Sequence, residues 1–229
     1  MTNTLVFDTG PIISLALNNL LGILPTLQQR FHGDFLIPPS VKRELVDRPI
    51  ESKKFKFEAL QVLSTIERGI LRVADVTSVR SQTLRLMETA NRAFAARGSN
   101  LQIVHLAEME ALALAIANRA QAMVVDERTT RLLIENAELL QRLLERKLAV
   151  SITVDRSALR EFQQQAKGIR FLRSTELAVM AYELGALDSL VLKIPEARKQ
   201  LLQGVLWGLK LAGCGIPQRE IDTIVHMEL

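Results

Sequence analysis

Asp8 follows the apolar run TLVF, and Asp126 follows AMVV. Both runs are short and apolar, as buried strands are, so each aspartate stands at the mouth of one. A carboxylate there is costly unless it is solvated, hydrogen-bonded or bound to a cation. Glu44 lies one turn into the helix expected after a second strand, DFLIP. Glu108 and Glu110 interrupt HLAEMEALALAIA, whose other positions are nearly all Ala, Leu or Ile. They are two apart, about 200° round a helix. They do not both face one site closely, and at least one is expected at the surface. Taken singly, each acid has a plainer reading. Asp8 and Asp126 suit helix N-caps, Glu44 complements a helix dipole, and Glu110 suits a solvent-facing position. Taken together, acids start helices or end strands along one edge.

Carboxylates without partner cysteines or clustered histidines suit a hard divalent cation, Mg²⁺ or Mn²⁺. His32, His105 and His226 are scattered and lack zinc-type spacing, so they read as packing or surface residues. Cys214 is the single cysteine. It excludes an internal disulfide and any multi-cysteine metal centre, suits a reducing interior, and reads as a buried or linker thiol. Crowded carboxylates repel one another, which raises their pKa values unless a cation neutralises them. Such a site orients water and stabilises charge on a transferred phosphoryl group. Other phosphate chemistries drop out. No G-x-x-x-x-G-K-[ST] loop is present. The G-x-G at Gly213 and Gly215 lacks a third glycine and precedes proline. No G-x-S-x-G elbow exists, and Gly10 holds the place where aspartyl-phosphate phosphatases generally carry a second aspartate.

Bringing these acids together requires a particular arrangement of elements. Strands are expected at TLVF, DFLIP, ILRVADV, AMVVDE and LAVSITV. TGP turns after Asp8 and starts a helix, with Pro11 suited to its first position. A second helix covers NLLGILPTLQQR, and Ser40 is an N-cap candidate for the helix in PPSVKRELV. Further helices are expected around KKFKFEALQVLSTIERG, through VRSQTLRLMETANRAFAARG to Gly98, over HLAEMEALALAIANRA, and from Asp126 to about Arg146. The remainder is mostly helical, broken at Gly185, Pro195 and AGCGIP. Strands alternating with helices favour a largely parallel α/β sheet covered on both faces. In such sheets sites gather at the carboxyl ends of strands, where Asp8 and Asp126 stand.

With 48 % apolar and 24 % charged residues the chain is ordinarily globular. Its length fits one large domain or one domain with an appendage. Aromatics at 4 % argue against modules that read RNA by stacking. The apolar start LVFDTGPIISLALNNLLGIL has no Lys or Arg before it and is interrupted by Asp8, Asn18 and Asn19, unlike a secretory signal. No run approaches the roughly 20 apolar residues that span a bilayer. A soluble, cytoplasmic protein with no membrane partner is expected. The net charge is +4, and residues 128–173 hold 10 basic against 5 acidic residues. A local cluster adds Lys42, Arg43, Arg48, Lys53, Lys54 and Lys56. This hints at a polyanionic partner, although solvated helix faces give the same pattern.

LVFDTGPIISL with Asp8, PPSVKREL with Glu44, HLAEMEALALA with Glu110 and AMVVDERTTR with Asp126 resemble the PIN-domain nucleases, in order and in setting. STELAVMAYELGALDS and PEARKQLLQGVLWGLKLAGCGIPQREIDTIV are similar to the closing helices of an archaeal and bacterial subgroup whose fourth motif reads V-x-D-D/E-x-x-x-R. The resemblance covers roughly residues 3–47, 103–135 and 174–227. It implies a three-layer α/β/α fold with a mainly parallel central sheet and extra C-terminal helices. It also implies Mg²⁺- or Mn²⁺-dependent endonucleolytic hydrolysis of single-stranded RNA by activated water. Carried over, Asp8, Glu44, Glu110 and Asp126 are the catalytic, metal-binding quartet. Glu127 ligates instead of Asp126 or beside it, and Thr9 and Glu108 stand behind the ligands. Lys42, Arg43, Arg128 and Arg131 lie beside the motifs and are expected to hold RNA phosphates.

Two other readings stay open: a PIN-like module that binds RNA or a protein without cutting, and a metal-dependent phosphatase for a small substrate. Residues 48–102 are longer than the matching part of small toxin-type domains, and residues 147–173 insert a strand and a basic helix. An antitoxin partner is therefore not expected. The expected division is a catalytic core over 1–146 with a helical insertion near 48–102. Over 147–229, the inserted strand and helix and the closing helices pack on the same domain. Related domains often pair, and a homodimer is the oligomer the resemblance suggests.

Overall fold

A computed structural model describes residues 3–228. The first half of the chain runs β1 (Asn3–Phe7), α1 (Thr9–Leu17), α2 (Ile23–Phe31), β2 (Gly33–Ile37) and α3 (Pro39–Lys42). A π-helical turn (Arg43–Asp47) follows, then α4 (Arg48–Glu51), α5 (Lys56–Glu67), β3 (Leu71–Val73), α6 (Arg80–Arg92), β4 (Phe94–Ala96) and β5 (Ser99–Asn100). The second half runs α7 (Leu106–Ala117), β6 (Ala122–Val124), α8 (Arg128–Glu135), α9 (Ala137–Leu148), β7 (Ile152–Val154) and α10 (Arg156–Gln165). It closes with β8 (Phe171–Leu172), α11 (Ser174–Glu183), α12 (Ala197–Leu211) and α13 (Gln218–Met227).

The main sheet has the order β3-β2-β1-β6-β8, and every pairing in it is parallel. Leu5 of β1 stands opposite Phe35 of β2 on one side and Ala122 of β6 on the other. Alternation of side chains along the strands splits the core in two. Leu5, Phe7, Phe35, Ile37 and Val124 pack with Leu15 of α1, Leu24 of α2, Leu177 of α11, Leu206 of α12 and Ile221 of α13. Val6, Met123 and Val125 pack with Leu86 of α6, Leu112 of α7, Leu133 of α8 and Phe162 of α10. Both faces are covered, which is why these strands read as continuous apolar runs. The fold is the expected α/β/α sandwich with a parallel centre. No helix among the described residues is long and apolar enough to cross a membrane.

From β1 the chain builds outward through β2 to β3, then returns to lay β6 on the other side of β1. The order reverses between β1 and β6, so the crevice at their carboxyl ends is the topological switch point where α/β sheets bind ligands. Asp8 and Asp126 follow those two strands.

Several local expectations are corrected. The helix expected to reach Gly98 stops at Arg92. Phe94–Ala96 instead pairs with Ser99–Asn100 as a hairpin. Arg97 and Gly98 both have positive φ, 51° and 80°, the backbone twist that tight two-residue hairpin loops require. β4 also pairs antiparallel with β7. The middle insertion is therefore not only helical, and one of its strands joins the segment inserted after α9. The single helix expected to Arg146 is two, parted at Asn136, whose side chain accepts from the Leu139 amide and caps α9. Ser40 lies inside α3, with Pro38 at the N-cap. Pro11 is the third residue of α1.

Candidate active site

Asp8 and Asp126 are 4 % and 2 % exposed. The Asp8 amide donates to Val124 O at 3.0 Å, which ties the ends of β1 and β6 together. Gly10 lies between the two side chains. A Cβ on it would sit 3.4 Å from Asp126 Cβ and 3.8 Å from Asp8 Oδ2. Asp8 Oδ1 is buried without any hydrogen-bond partner. Burial pushes the Asp8 carboxyl up to about 6, the Thr9 and Gly10 amides pull it down, and the charges of Glu44 and Asp126 raise it further. Asp8 stands at the N-cap of α1 without making a side-chain capping bond.

Asp126 is held differently. Ser174, the first residue of α11, donates its amide to Oδ1 at 2.7 Å and its hydroxyl to Oδ2 at 2.7 Å. The neighbouring acid, Glu127, caps α8 by accepting from the Thr130 amide at 3.0 Å, and Thr129 Oγ1 donates to it at 2.7 Å.

Glu44 is exposed and lies in the π-helical turn. Such turns are rare and occur frequently at functional sites. Thr9 Oγ1 donates to Glu44 Oε2 at 2.7 Å, which holds this acid beside Asp8 at the mouth of the crevice.

The two acids of α7 part company. Glu108 accepts from the His105 amide at 3.1 Å, and Thr130 Oγ1 approaches it at 3.5 Å. Its carboxyl is pushed up to about 8, first by burial and then by the charge of Asp8. The His105 amide lowers it, and the charges of Glu127 and Glu44 raise it. Glu110 turns to α3, where the amide of Ser40 donates to its Oε2 at 3.0 Å and the Ser40 hydroxyl donates to the same oxygen. Glu108 thus feels the charges of Asp8, Glu44 and Glu127, whereas Glu110, expected as a metal ligand, has one carboxylate oxygen held at the start of α3. Both are half-buried, Glu108 near Thr130 and Glu110 against Ser40.

The basic residues divide as well. Lys42 pairs with Asp47 at 2.7 Å. Arg131 turns inward, its Nη2 3.5 Å from Gly215 O and its Nε buried without a partner. Arg43 and Arg128 are exposed and make no ion pair among the described residues. Of the four side chains expected on RNA phosphates, these two are open to solvent and unpaired. His32, His105 and His226 are all exposed, and Cys214 is buried.

Among the described residues, no three Asp, Glu, His or Cys side chains are drawn together as a ready-made ion cage. The donor set nevertheless fits a hard cation. It consists of carboxylate oxygens, one of them buried and orphaned, with carboxyl groups raised by burial and by each other's charge. Inward-facing acids at a switch point, repelling one another across a crevice, are what a cation would relieve.

Sequence spacing did not point to Ser174, Ser40 or Gly215. Ser174 follows a two-residue strand too short to show any periodicity. Ser40 carried a helix-cap signal but no hint of Glu110.

The fold is a parallel α/β/α sandwich with Asp8 and Asp126 at the ends of the strands that flank its switch point. A family model described as a PIN domain matches residues 4–142, and the chain belongs to the PIN-domain family. PIN domains are generally nucleases and typically use divalent metal ions. The chain has no match among the curated proteins or the solved structures.

Proposed function

We propose that this chain is a metal-dependent endoribonuclease that hydrolyses phosphodiester bonds of single-stranded RNA at the β1/β6 crevice. The observation that carries the reading is the buried, unpartnered Oδ1 of Asp8 among Glu44, Glu108 and Asp126. A lone buried acid would be costly; one that shares a cation with its neighbours would not. Asp8, Glu44, Glu108 and Asp126 are the residues that would hold Mg²⁺ or Mn²⁺, with Glu127 beside them. When bound, the ion supplies an activated water and neutralises charge on the phosphoryl group.

The chain's own groups do the rest. Asp126 is oriented by Ser174, and Glu44 by Thr9. Glu108, whose carboxyl burial and the charge of Asp8 push up to about 8, would be one of the oxygens that hold the ion. Arg43 and Arg128 flank the crevice and contact RNA phosphates, which positions the strand without reading its sequence. The test is labelled single-stranded RNA with Mn²⁺, with and without a chelator, for wild type and Asp8→Asn. Metal-dependent products from wild type alone support the reading, and equal cleavage by both proteins overturns it. The exposed Arg43 and Arg128 also suit a second reading, a non-cleaving module that binds RNA. Retained RNA binding with no metal-dependent product would select it.

A further inference from the structure

We propose that Ser174 is a positioning residue for Asp126, and that the segments around 173–176 and 214–220, outside the family match over 4–142, are thereby part of the metal site. The inference rests on the nuclease reading above and names what makes one of its ligands usable.

Ser174 is fully buried and sends its amide and its hydroxyl to different oxygens of one carboxylate, each at 2.7 Å. Two donors on two oxygens fix both the direction of the side chain and the plane of the carboxylate. They occupy two of its roughly four lone-pair positions and leave the others for a cation. A ligand already held in place loses little freedom on binding.

The backbone of the same residue is tied from a second direction. The Gly215 amide donates to Asp126 O at 3.1 Å. A Cβ at position 215 would lie 3.1 Å from that oxygen and 3.6 Å from Arg128 Cβ, so the close approach favours glycine. The two ties belong to one unit. Thr175 Oγ1 lies 3.8 Å from Cys214 Sγ. Arg173 bridges Glu176 on α11 and Glu220 on α13, with its Nε 2.8 Å from Glu176 Oε1 and its Nη1 3.2 Å from Glu220 Oε2. Of the residues on either side of Ser174, Thr175 is therefore anchored to the turn that holds Asp126 from behind, and Arg173 to the helix that follows that turn.

A competing account makes Asp126 merely the acceptor for an orphan amide at the start of α11. That account predicts a loss of stability when the hydroxyl is removed, and nothing more. The distinguishing experiment measures Mn²⁺ binding to the full chain from the electron paramagnetic resonance signal of free Mn²⁺. Cleavage of labelled single-stranded RNA is followed across the same titration. Ser174→Ala should weaken Mn²⁺ binding by about tenfold, the effect of roughly one charge-assisted hydrogen bond. The Mn²⁺ needed for half-maximal cleavage should shift in parallel while KM for RNA stays unchanged. Ser174→Thr, which keeps the hydroxyl, should restore binding to within about threefold.

Wild-type Mn²⁺ affinity in a folded Ser174→Ala protein overturns the proposal. Should that variant not fold, Glu220→Gln, which loosens the Arg173 bridge without touching Asp126, should weaken Mn²⁺ binding about twofold to threefold; an unchanged affinity there overturns the proposal equally. Wild-type protein that neither binds Mn²⁺ nor cuts RNA refutes the nuclease reading and this proposal with it. A wild type that does both, with Ser174→Ala identical to it, removes this proposal alone.

Discussion

The ends of β1 and β6 carry the same residue type at the same depth, yet the two aspartates are supported in opposite ways. Asp126 has donors on both oxygens, from a helix that begins 48 residues later. Asp8 has an oxygen with no partner at all. One end of the crevice is built like a structural anchor. The other is left in the condition of a group awaiting a ligand. Removing Asp126 should therefore harm the fold as well as the chemistry, and removing Asp8 should harm mainly the chemistry.

The sharpest way to break that contrast is activity. Asp8→Asn should lower metal-dependent RNA cleavage by about 10³-fold, the upper range for losing one charge-stabilising group, with an unchanged circular dichroism spectrum. The two acids of α7 extend the same contrast. Glu108→Gln should cost about 10²-fold in kcat/KM, while Glu110→Gln should leave cleavage within about threefold of wild type. A comparable loss in both variants would undo the separation of roles drawn from Ser40.

Stability gives the next test. Asp126→Ala leaves the Ser174 amide and hydroxyl buried without an acceptor and should destabilise by ~2–4 kcal/mol in urea unfolding. Asp8→Ala removes a buried carboxylate with one unpartnered oxygen and should cost less than half as much. A smaller expected effect concerns pH without metal. The Asp8 and Glu108 carboxyls are raised in the folded chain, to about 6 and about 8, so the folded state holds protons that the unfolded chain releases. Stability is then full below the ordinary carboxylate range and is lost as pH rises toward 8. Glu108→Gln should remove the part of this slope above pH 6. It should also raise the unfolding midpoint at pH 8 by at least about 2–4 °C, the shift that ~1 kcal/mol produces at this size. The smallest effect belongs to the rim. Arg43→Ala and Arg128→Ala should each reduce the salt slope of RNA binding by about one, and Arg131→Ala should not.

The sheet could be read from the sequence because each of its longer strands is an apolar run closed by a turn. Asp8 and Asp126 were visible as strand-end acids for the same reason. The choice between Glu108 and Glu110 was not visible. Spacing of two places them on different sides of a helix, but which side meets the acids depends on where α3 lies, and Ser40 decides that through space. The Arg97–Gly98 hairpin was hidden because helical spacing and a final glycine describe a helix end equally well. β8 was hidden by its length. Ser174 went unseen for a related reason: its partner lies far away in the chain, and nothing in its neighbours signals a buried carboxylate. Local pattern reports the elements, and the pairings across the switch point are decided by tertiary contacts.

Asp126 is made long before the groups that steady it. Ser174 follows 48 residues behind it, and Gly215 lies on the turn between the last two helices. At a synthesis rate of about 5–20 residues per second, the interval from Asp126 to Gly215 lasts ~5–20 s. During translation the main sheet can gather its first four strands while one wall of the crevice still lacks its braces. Whatever chemistry the acidic edge performs waits until the turn around Gly215 has been made.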